Sequence, residues 1–173
     1  MEFSLSSEQE MLIESARAFA ENELYPHEAE VEKSDSVSPD LAQKIRERAI
    51  EMGFYAANMP EDLGGGGLDC VSLSLVEREL GRANFALQYL VGRPSNILQA
   101  CVGEQRDHYL FPCIRGEKTD CLAMTEPGAG SDLRSMQCRA DVDGDDYVIN
   151  GTKHFISHAD IADFVILFAA TGE

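Results

Sequence analysis

Apolar residues recur at helical spacing through the first two thirds of the chain, with polar residues between them. One face of the first predicted helix carries Leu12, Ala16, Phe19, Ala20 and Leu24. Ser7 followed by Glu10 matches a capping box, in which each side chain bonds the backbone of the other residue. This pattern predicts that a helix begins at Ser7 and continues to Leu24.

Further helical patterns follow. A helix is predicted from Pro39 to about Met52, ended by Gly53, with four inward residues: Leu41, Ile45, Ala49 and Met52. The stretches "VSLSLVERELGR", "FALQYLVGRPSNILQACVG" and "EQRDHYLFPCIRGE" also have helical periodicity, and each is closed by Gly or by a Pro/Gly pair. Together these patterns predict an all-α bundle of about five helices.

From about Asp120 the pattern changes to short apolar or alternating runs separated by turns. The predicted strands are "CLAMT", "QCRADVDGDDYVING" with a hairpin turn at "DGDD", "TKHFIS" and "DFVILFAA". The fold class is therefore α+β: a helical domain over residues 1–118 precedes the first strands of a barrel-like or sandwich-like domain over residues 119–173. Because so few strands leave sheet edges uncovered, we expect the chain to be the front part of a longer protein.

Composition and charge narrow the function classes. Among 173 residues, 44% are hydrophobic and 26% charged, as in ordinary globular proteins. The 14 Lys and Arg against 31 Asp and Glu give a formal charge of −17, which disfavours nucleic acid and anionic membranes as partners. No apolar run approaches the ~20 residues of a membrane span. Five scattered cysteines without CxxC spacing, and an acidic start with no leader pattern, predict a cytoplasmic protein without a metal site.

The stretch "AMTEPGAGSD" carries candidate binding chemistry directly after an apolar run. Gly128 and Gly130 allow positive φ or close approach of a ligand to the backbone, and Thr125 and Ser131 add hydroxyl groups. Successive N–H groups in such a loop can bind an anion, so a phosphate or a flat heteroaromatic ring would fit. The alternative is a plain Pro-Gly turn in which Ser131 or Asp132 satisfies its own backbone. The loop matches neither a P-loop nor a GxGxxG motif that opens a helix.

Two stretches together carry a resemblance to a known family. "MTEPGAGSDLRSM", followed after a hairpin by "VINGTKHFIS", closely resembles the flavin-binding signature of the acyl-CoA dehydrogenase family. Looser matches at "MPEDLGGGGLD", "VERELGR" and "GEQRDHYLFPCIRGE" keep that family's order and spacing. The resemblance implies an FAD-dependent homotetramer of fatty acid metabolism that dehydrogenates acyl-CoA and passes electrons to an electron-transfer flavoprotein. It also implies a C-terminal helical bundle that is absent from these 173 residues.

The resemblance also implies site residues. Leu122, Met124 and Thr125 would contact the flavin ring, and Gly130 would let the cofactor approach the loop. Ser131 would bond at the phosphate side of FAD and touch the acyl-CoA substrate. The other two positions come from the second signature. Phe155, where the family often has Trp, would cover one flavin face, and Ser157, where it commonly has Thr, would reach the reactive nitrogen edge.

The catalytic glutamate of the family has no counterpart here, so no catalytic residue is assigned. Glu126 is interpreted as a structural loop carboxylate, and His154 and His158 as packed or solvated side chains. Arg93 is open to two interpretations, a contact with a polar acyl group or thioester and a surface salt bridge. The cysteines are expected to be small buried hydrophobic residues.

The sequence is also compatible with two other functions. A flavin oxidase or two-component monooxygenase of the same superfamily would share these signatures while letting oxygen reach the reduced flavin. A remnant without catalysis would serve only to bind acyl-CoA, flavin or a protein partner.

Overall fold

The computed structural model describes residues 4–172, which divide after Glu117 into a helical unit and a β unit. The predicted fold class, helices followed by a few strands, is confirmed. Across the described residues, six α-helices have the bounds α1 Ser7–Phe19, α2 Glu28–Ser34, α3 Pro39–Glu51, α4 Cys70–Leu80, α5 Phe85–Gln88 and α6 Phe111–Ile114. A π-turn, Ala20–Leu24, and a 3₁₀-turn, Tyr25–His27, connect α1 to α2, and a second π-turn, Arg106–Leu110, leads into α6.

Helix α1 begins at Ser7, and its N-cap, Ser6, lies one residue before Ser7, the capping residue predicted from the sequence. The Ser6 hydroxyl accepts the Gln9 N–H at 3.2 Å, and the Gln9 side chain accepts the Ser6 N–H at 3.1 Å. The prediction of Ser7 and Glu10 was wrong because two adjacent serines are each followed, three residues later, by a residue that can complete a capping box.

Helix α3 has nearly its predicted bounds, and Gly53 follows it in the left-handed conformation, with φ of 74°. Ile45 and Ala49 are buried as predicted, whereas Leu41 is half-buried and Met52 is 40% exposed. The inward prediction for Met52 was wrong because this residue is the C-cap, where the helical spacing of the apolar face ends.

The single helix predicted over residues 85–103 was also wrong. Helix α5 is one turn long, and two 3₁₀ segments, Tyr89–Val91 and Asn96–Ala100, replace its continuation. Gly92 has φ of 81°, which ends the helical path, and Pro94 lacks an N–H and disfavours the helical region for Arg93. The pattern did not predict α2, a polar helix whose one buried residue is Val31.

Helices α1 and α4 pack together in the helical unit, and the buried core draws on several other segments as well. Leu24, Ile45, Met59, Leu87 and Leu110 are fully buried. Phe19 meets Phe54 edge to face, with ring centroids 5.4 Å apart. Asp69 caps α4 by accepting the N–H of Val71 at 2.8 Å and that of Ser72 at 3.1 Å.

As far as residue 172, the β unit contains four strands, β1 Asp120–Ala123, β2 Arg139–Asp143, β3 Asp146–Asn150 and β4 Phe164–Leu167. Strands β1 and β4 pair in parallel, with Cys121 opposite Val165, and β2 and β3 form the predicted antiparallel hairpin. The Ala140 N–H donates to the Ala170 carbonyl at 2.9 Å, which connects the hairpin to the segment after β4. The strand predicted at "TKHFIS" was wrong, because residues 152–157 follow an irregular path in which Phe155 has φ of 55°.

Candidate functional site

The glycine-rich loop begins with a tight turn. The N–H of Glu126 donates to the carbonyl of Ala129 at 2.8 Å, and the N–H of Ala129 donates back at 3.2 Å. Neither Gly128 nor Gly130 has a positive φ, so the prediction that these glycines are needed for a positive φ was wrong. A Cβ placed on either residue would meet no described atom within 4 Å. The chain itself therefore tolerates a side chain here, and close approach of a ligand stays the prediction for these glycines.

The loop after this turn exposes a run of polar groups. Among residues 4–172, no acceptor pairs with the N–H groups of Gly130, Ser131 and Asp132 or with the Ser131 hydroxyl. The Asp132 carboxylate satisfies a local backbone donor instead, the N–H of Arg134 at 3.2 Å. The Asp132 side chain thus behaves as in a plain turn. The N–H groups of Gly130, Ser131 and Asp132 are nevertheless available as three consecutive donors to an anion.

Glu126 lies at the junction of three segments. Its carboxylate is 5% exposed and accepts three hydrogen bonds, from the Lys153 ammonium at 2.8 Å, the Gln137 N–H at 2.7 Å and the Cys138 N–H at 2.9 Å. The hydrogen bond from Lys153, followed by that from the Gln137 N–H, lowers the pKa of Glu126 to about 2. A carboxylate held this firmly as an anion is a weak proton acceptor, which supports its interpretation as a structural group.

Lys153 brings the two signatures together. Its side chain is only 8% exposed, and Nζ also donates to the Met124 carbonyl at 2.9 Å. The next residue continues the contact, since the His154 N–H donates to the Thr125 carbonyl at 3.0 Å. Lys153 is not identified by its sequence context, since a lysine in an irregular segment 27 positions after Glu126 gives no periodic signal for a pair.

Phe155 combines an exposed ring with an uncommon backbone. The residue is 86% exposed, and its ring centroid lies 4.1 Å from that of His154. A left-handed conformation in a bulky residue costs about 1–3 kcal/mol and is often found at ligand sites. His158 is also left-handed, and burial lowers the pKa of its imidazole. The segment therefore exposes an aromatic face.

The remaining predicted site residues are distributed around these contacts. Leu122 is 38% exposed on β1, opposite Ile166, while Met124 and Thr125 are half-buried. Ser157 is exposed. Within the described residues, neither the Thr125 nor the Ser157 hydroxyl has a hydrogen-bond partner. Hydrogen bonds bring Met124 and Thr125 to the segment of Phe155, which also contains Ser157, whereas within residues 4–172 none ties Gly130 or Ser131 to that segment.

Arg93 lies in the helical unit and forms an ion pair with Glu77 at 3.0 Å, so the salt-bridge interpretation is confirmed. The expectation of buried cysteines holds for Cys113, Cys121 and Cys138 but is wrong for Cys70, which is exposed.

Within residues 4–172, no helix has the length and apolar character needed to cross a membrane. No group of three or more His, Cys, Asp or Glu side chains in that range could hold a metal ion.

Comparison with known proteins assigns both units. Residues 6–117 match the acyl-CoA dehydrogenase N-terminal domain, and residues 121–173 match the acyl-CoA dehydrogenase middle domain. The chain is 37% identical over 171 residues to a 3-(aryl)acrylate reductase of Clostridium sporogenes, covering 96% of this chain and 44% of that protein. It is 31% identical over 176 residues to a short-chain specific acyl-CoA dehydrogenase of Clostridium acetobutylicum, covering 99% and 45%.

A solved structure agrees with these matches. Acyl-CoA dehydrogenase complexed with FAD from Bacillus anthracis superimposes with a TM-score of 0.78 at 31% identity, covering 97% of this chain and 29% of that chain. The chain thus spans less than half the length of the relatives it matches. Since the two domain models match in succession and together cover nearly all residues, the chain belongs to the acyl-CoA dehydrogenase family.

Proposed function

We propose that this chain forms part of the FAD site of an enzyme that dehydrogenates acyl-CoA thioesters between the α and β carbons. The observation that carries the proposal is the junction of the two signatures, where Lys153 and His154 bond the carbonyls of Met124 and Thr125. The proposed cofactor contacts are Leu122, Met124, Thr125, Gly130, Ser131, Phe155 and Ser157, and Ser131 would also contact the substrate.

The residues present fit FAD in three respects. The exposed ring of Phe155 offers a stacking surface for a flat heteroaromatic ring. The unpaired hydroxyls of Thr125 and Ser157 can bond its polar edges. The free N–H groups from Gly130 to Asp132 can bind a phosphate. A phenylalanine at position 155 keeps the stacking surface but provides no N–H donor such as an indole would.

In this proposal the chain binds and orients, and bound FAD supplies the acceptor for the hydride that leaves the β carbon. Phe155 covers one face of the ring and excludes water from it, while the end of β1 and Thr125 fix its edge. Ser131 lies where the cofactor and the acyl-CoA would meet. Removal of the α-proton needs a carboxylate base, and no residue of this chain is assigned that role, since Glu126 is already bonded to three donors.

A second direction of the same chemistry has support from the comparison. The 37% identical relative is named a 3-(aryl)acrylate reductase, so a site of this kind can also serve reduction of an α,β double bond. In that case the same residues would hold reduced FAD against an unsaturated acid or thioester.

The proposal extends to partners and location. An electron-transfer flavoprotein would accept the electrons, the assembled enzyme would be a homotetramer, and the protein would work in fatty acid metabolism in the cytoplasm. The formal charge of −17 fits an acidic protein that avoids nucleic acid.

The test uses the protein expressed from its complete reading frame. We expect a yellow protein whose flavin absorbance bleaches anaerobically with butyryl-CoA, octanoyl-CoA or palmitoyl-CoA. Oxidation of the dithionite-reduced protein by cinnamate or cinnamoyl-CoA would indicate the reductase direction, and rapid oxygen consumption would indicate an oxidase. A folded, colourless protein that does not bind added FAD contradicts the proposal.

A further inference from the structure

Lys153 is buried in a place where few lysines are found. Its side chain is 8% exposed, yet it lies in residues 152–157, which belong to no helix or strand. Lysine is rarely buried unless it is paired, and here Nζ has two acceptors, the Glu126 carboxylate at 2.8 Å and the Met124 carbonyl at 2.9 Å. The ammonium therefore acts as a connector between an irregular segment and the end of β1.

Three hydrogen bonds join the two signatures at this junction. Lys153 provides two of them, and the third runs from the His154 N–H to the Thr125 carbonyl. Glu126 extends the junction to the start of the hairpin through the N–H groups of Gln137 and Cys138. The Lys153–Glu126 pair thus fixes three separate segments of the β unit relative to one another.

The energetics of such a pair favour a role in geometry. Both side chains are more than nine-tenths buried, so removing their charges from water costs free energy. The attraction between the two charges offsets this cost but adds little net stability. A buried ion pair is therefore weak evidence for added stability. Its directional bonds nevertheless select one arrangement of the backbone, because a shifted segment would leave a buried charge without its partner.

The arrangement that is selected includes Phe155, two residues after Lys153. Phe155 has φ of 55° and a ring that is 86% exposed, so its own packing within this chain does little to hold it. An unfavourable backbone conformation persists only where surrounding contacts enforce it. The bonds of Lys153 and His154 are the contacts immediately before Phe155 in sequence.

We propose that Lys153 is a positioning residue, which through Glu126 and the Met124 carbonyl sets where Phe155 stands against the first signature. This inference rests on the proposed FAD site. Lys153 controls how tightly FAD is held and how the ring environment is shaped, without touching the cofactor itself.

The test compares side chains at position 153 in the protein expressed from its complete reading frame. Lys153→Met keeps the length and removes the charge, and Lys153→Arg keeps the charge. Lys153→Met removes hydrogen bonds made by a charged group, which contribute more free energy than neutral ones. We therefore expect it to weaken FAD binding about 10- to 100-fold. The visible circular dichroism of bound flavin should change, and kcat should fall more than KM rises. Lys153→Arg should recover part of both properties.

Lys44→Met is the matched control, since it makes the same change at an exposed position on α3. If Lys153→Met fails to fold, Lys153→Arg and Glu126→Gln decide the outcome through the same FAD dissociation constants and flavin spectra. Folded variants with an unchanged FAD dissociation constant and unchanged flavin dichroism overturn the positioning role. A wild-type protein that does not bind FAD contradicts the proposed function instead, so the two failures are distinguishable.

Discussion

Within residues 4–172, each unit contains one deeply buried carboxylate, and the two are held in different ways. Glu79 in the helical unit is 3% exposed and accepts hydrogen bonds from Arg17, Arg78 and Arg82, at distances of 2.8 to 3.1 Å. Glu126 in the β unit is 5% exposed and accepts two backbone N–H groups and a buried lysine. The pKa of each is lowered to about 2, chiefly by the hydrogen bond from Arg17 for Glu79 and from Lys153 for Glu126.

The two carboxylates differ in whether water could solvate their hydrogen-bond donors if the carboxylate were removed. The three arginines are 45–56% exposed, so water can solvate them, and the bond from Arg17 mainly joins α1 to α4. Two of the donors to Glu126, the N–H of buried Cys138 and the buried ammonium of Lys153, have no such access to water. We infer that Glu79 serves stability, whereas Glu126 serves local geometry beside the proposed site.

The largest expected effect concerns packing in the helical unit. An added Cβ at Gly92 would lie 1.8 Å from Cε2 of Tyr55, which is buried, and φ there is 81°. Overpacking and left-handed strain together predict that Gly92→Ala lowers the free energy of unfolding by about 2–5 kcal/mol. Urea unfolding followed by helical circular dichroism measures this.

Gly53→Ala is the control for strain alone, since φ is 74° and no atom lies within 4 Å of its added Cβ. Equal losses in the two variants would show that the contact with Tyr55 relaxes without cost.

Glu79→Gln tests the stability role of the helical carboxylate. The amide keeps the shape but provides no charge to its three arginine partners, so we expect a loss of about 1–3 kcal/mol in unfolding free energy. The FAD dissociation constant should stay within twofold of wild type. Glu77→Gln, which removes only the half-exposed pair with Arg93, should cost about 0–1 kcal/mol. A large change in FAD affinity in Glu79→Gln would erase the distinction between the two carboxylates.

Acid should weaken both carboxylate clusters. Their pKa values in the folded protein, about 2, lie below the ordinary value of 4.5. Their stabilisation is therefore fully present above pH 4.5 and is lost as the pH falls from there towards 2. Unfolding free energies measured between pH 6 and pH 3 should fall with acidification. The fall should be shallower in Glu79→Gln, and an identical slope would mean that Glu79 is not preferentially ionised in the folded state.

The spacing of apolar residues predicted the regular helices and the hairpin but not the irregular segments of the chain. The faces of α1, α3 and α4 and the β2–β3 hairpin follow from apolar spacing and turn residues, because burial of one face determines those elements. The break at Gly92 follows from Gly92 and Pro94 themselves, which apolar spacing does not register. The irregular path around Phe155 depends on a tertiary contact with Thr125, far away in sequence. Such contacts leave no periodic signal.

The same limit applies to the candidate site. Recognition of the two signatures supplied the proposed FAD contacts, and the hydrogen bonds of Glu126 support its interpretation as a structural group. The pair with Lys153 could not be deduced, because nothing in the intervening 26 residues shows that the chain returns to the end of β1. The positive φ expected for the loop glycines failed for a related reason: composition shows where glycine is permitted, not which of its properties the fold uses.

The smallest expected effect is the loss of one hydroxyl at the proposed site. Thr125 is half-buried at the end of β1, its carbonyl accepts the His154 N–H, and within the described residues its hydroxyl has no partner. Thr125→Val keeps the branched shape and the backbone bond, so only a hydrogen bond to FAD should be lost. A neutral hydrogen bond contributes about 0.5–1.5 kcal/mol, which corresponds to about a 2- to 13-fold rise in the FAD dissociation constant. Thr171→Val, at an exposed position in the same unit, should leave this constant unchanged. Flavin fluorescence quenching measures both variants, and equal affinities would mean that Thr125 contributes to cofactor binding through its backbone alone.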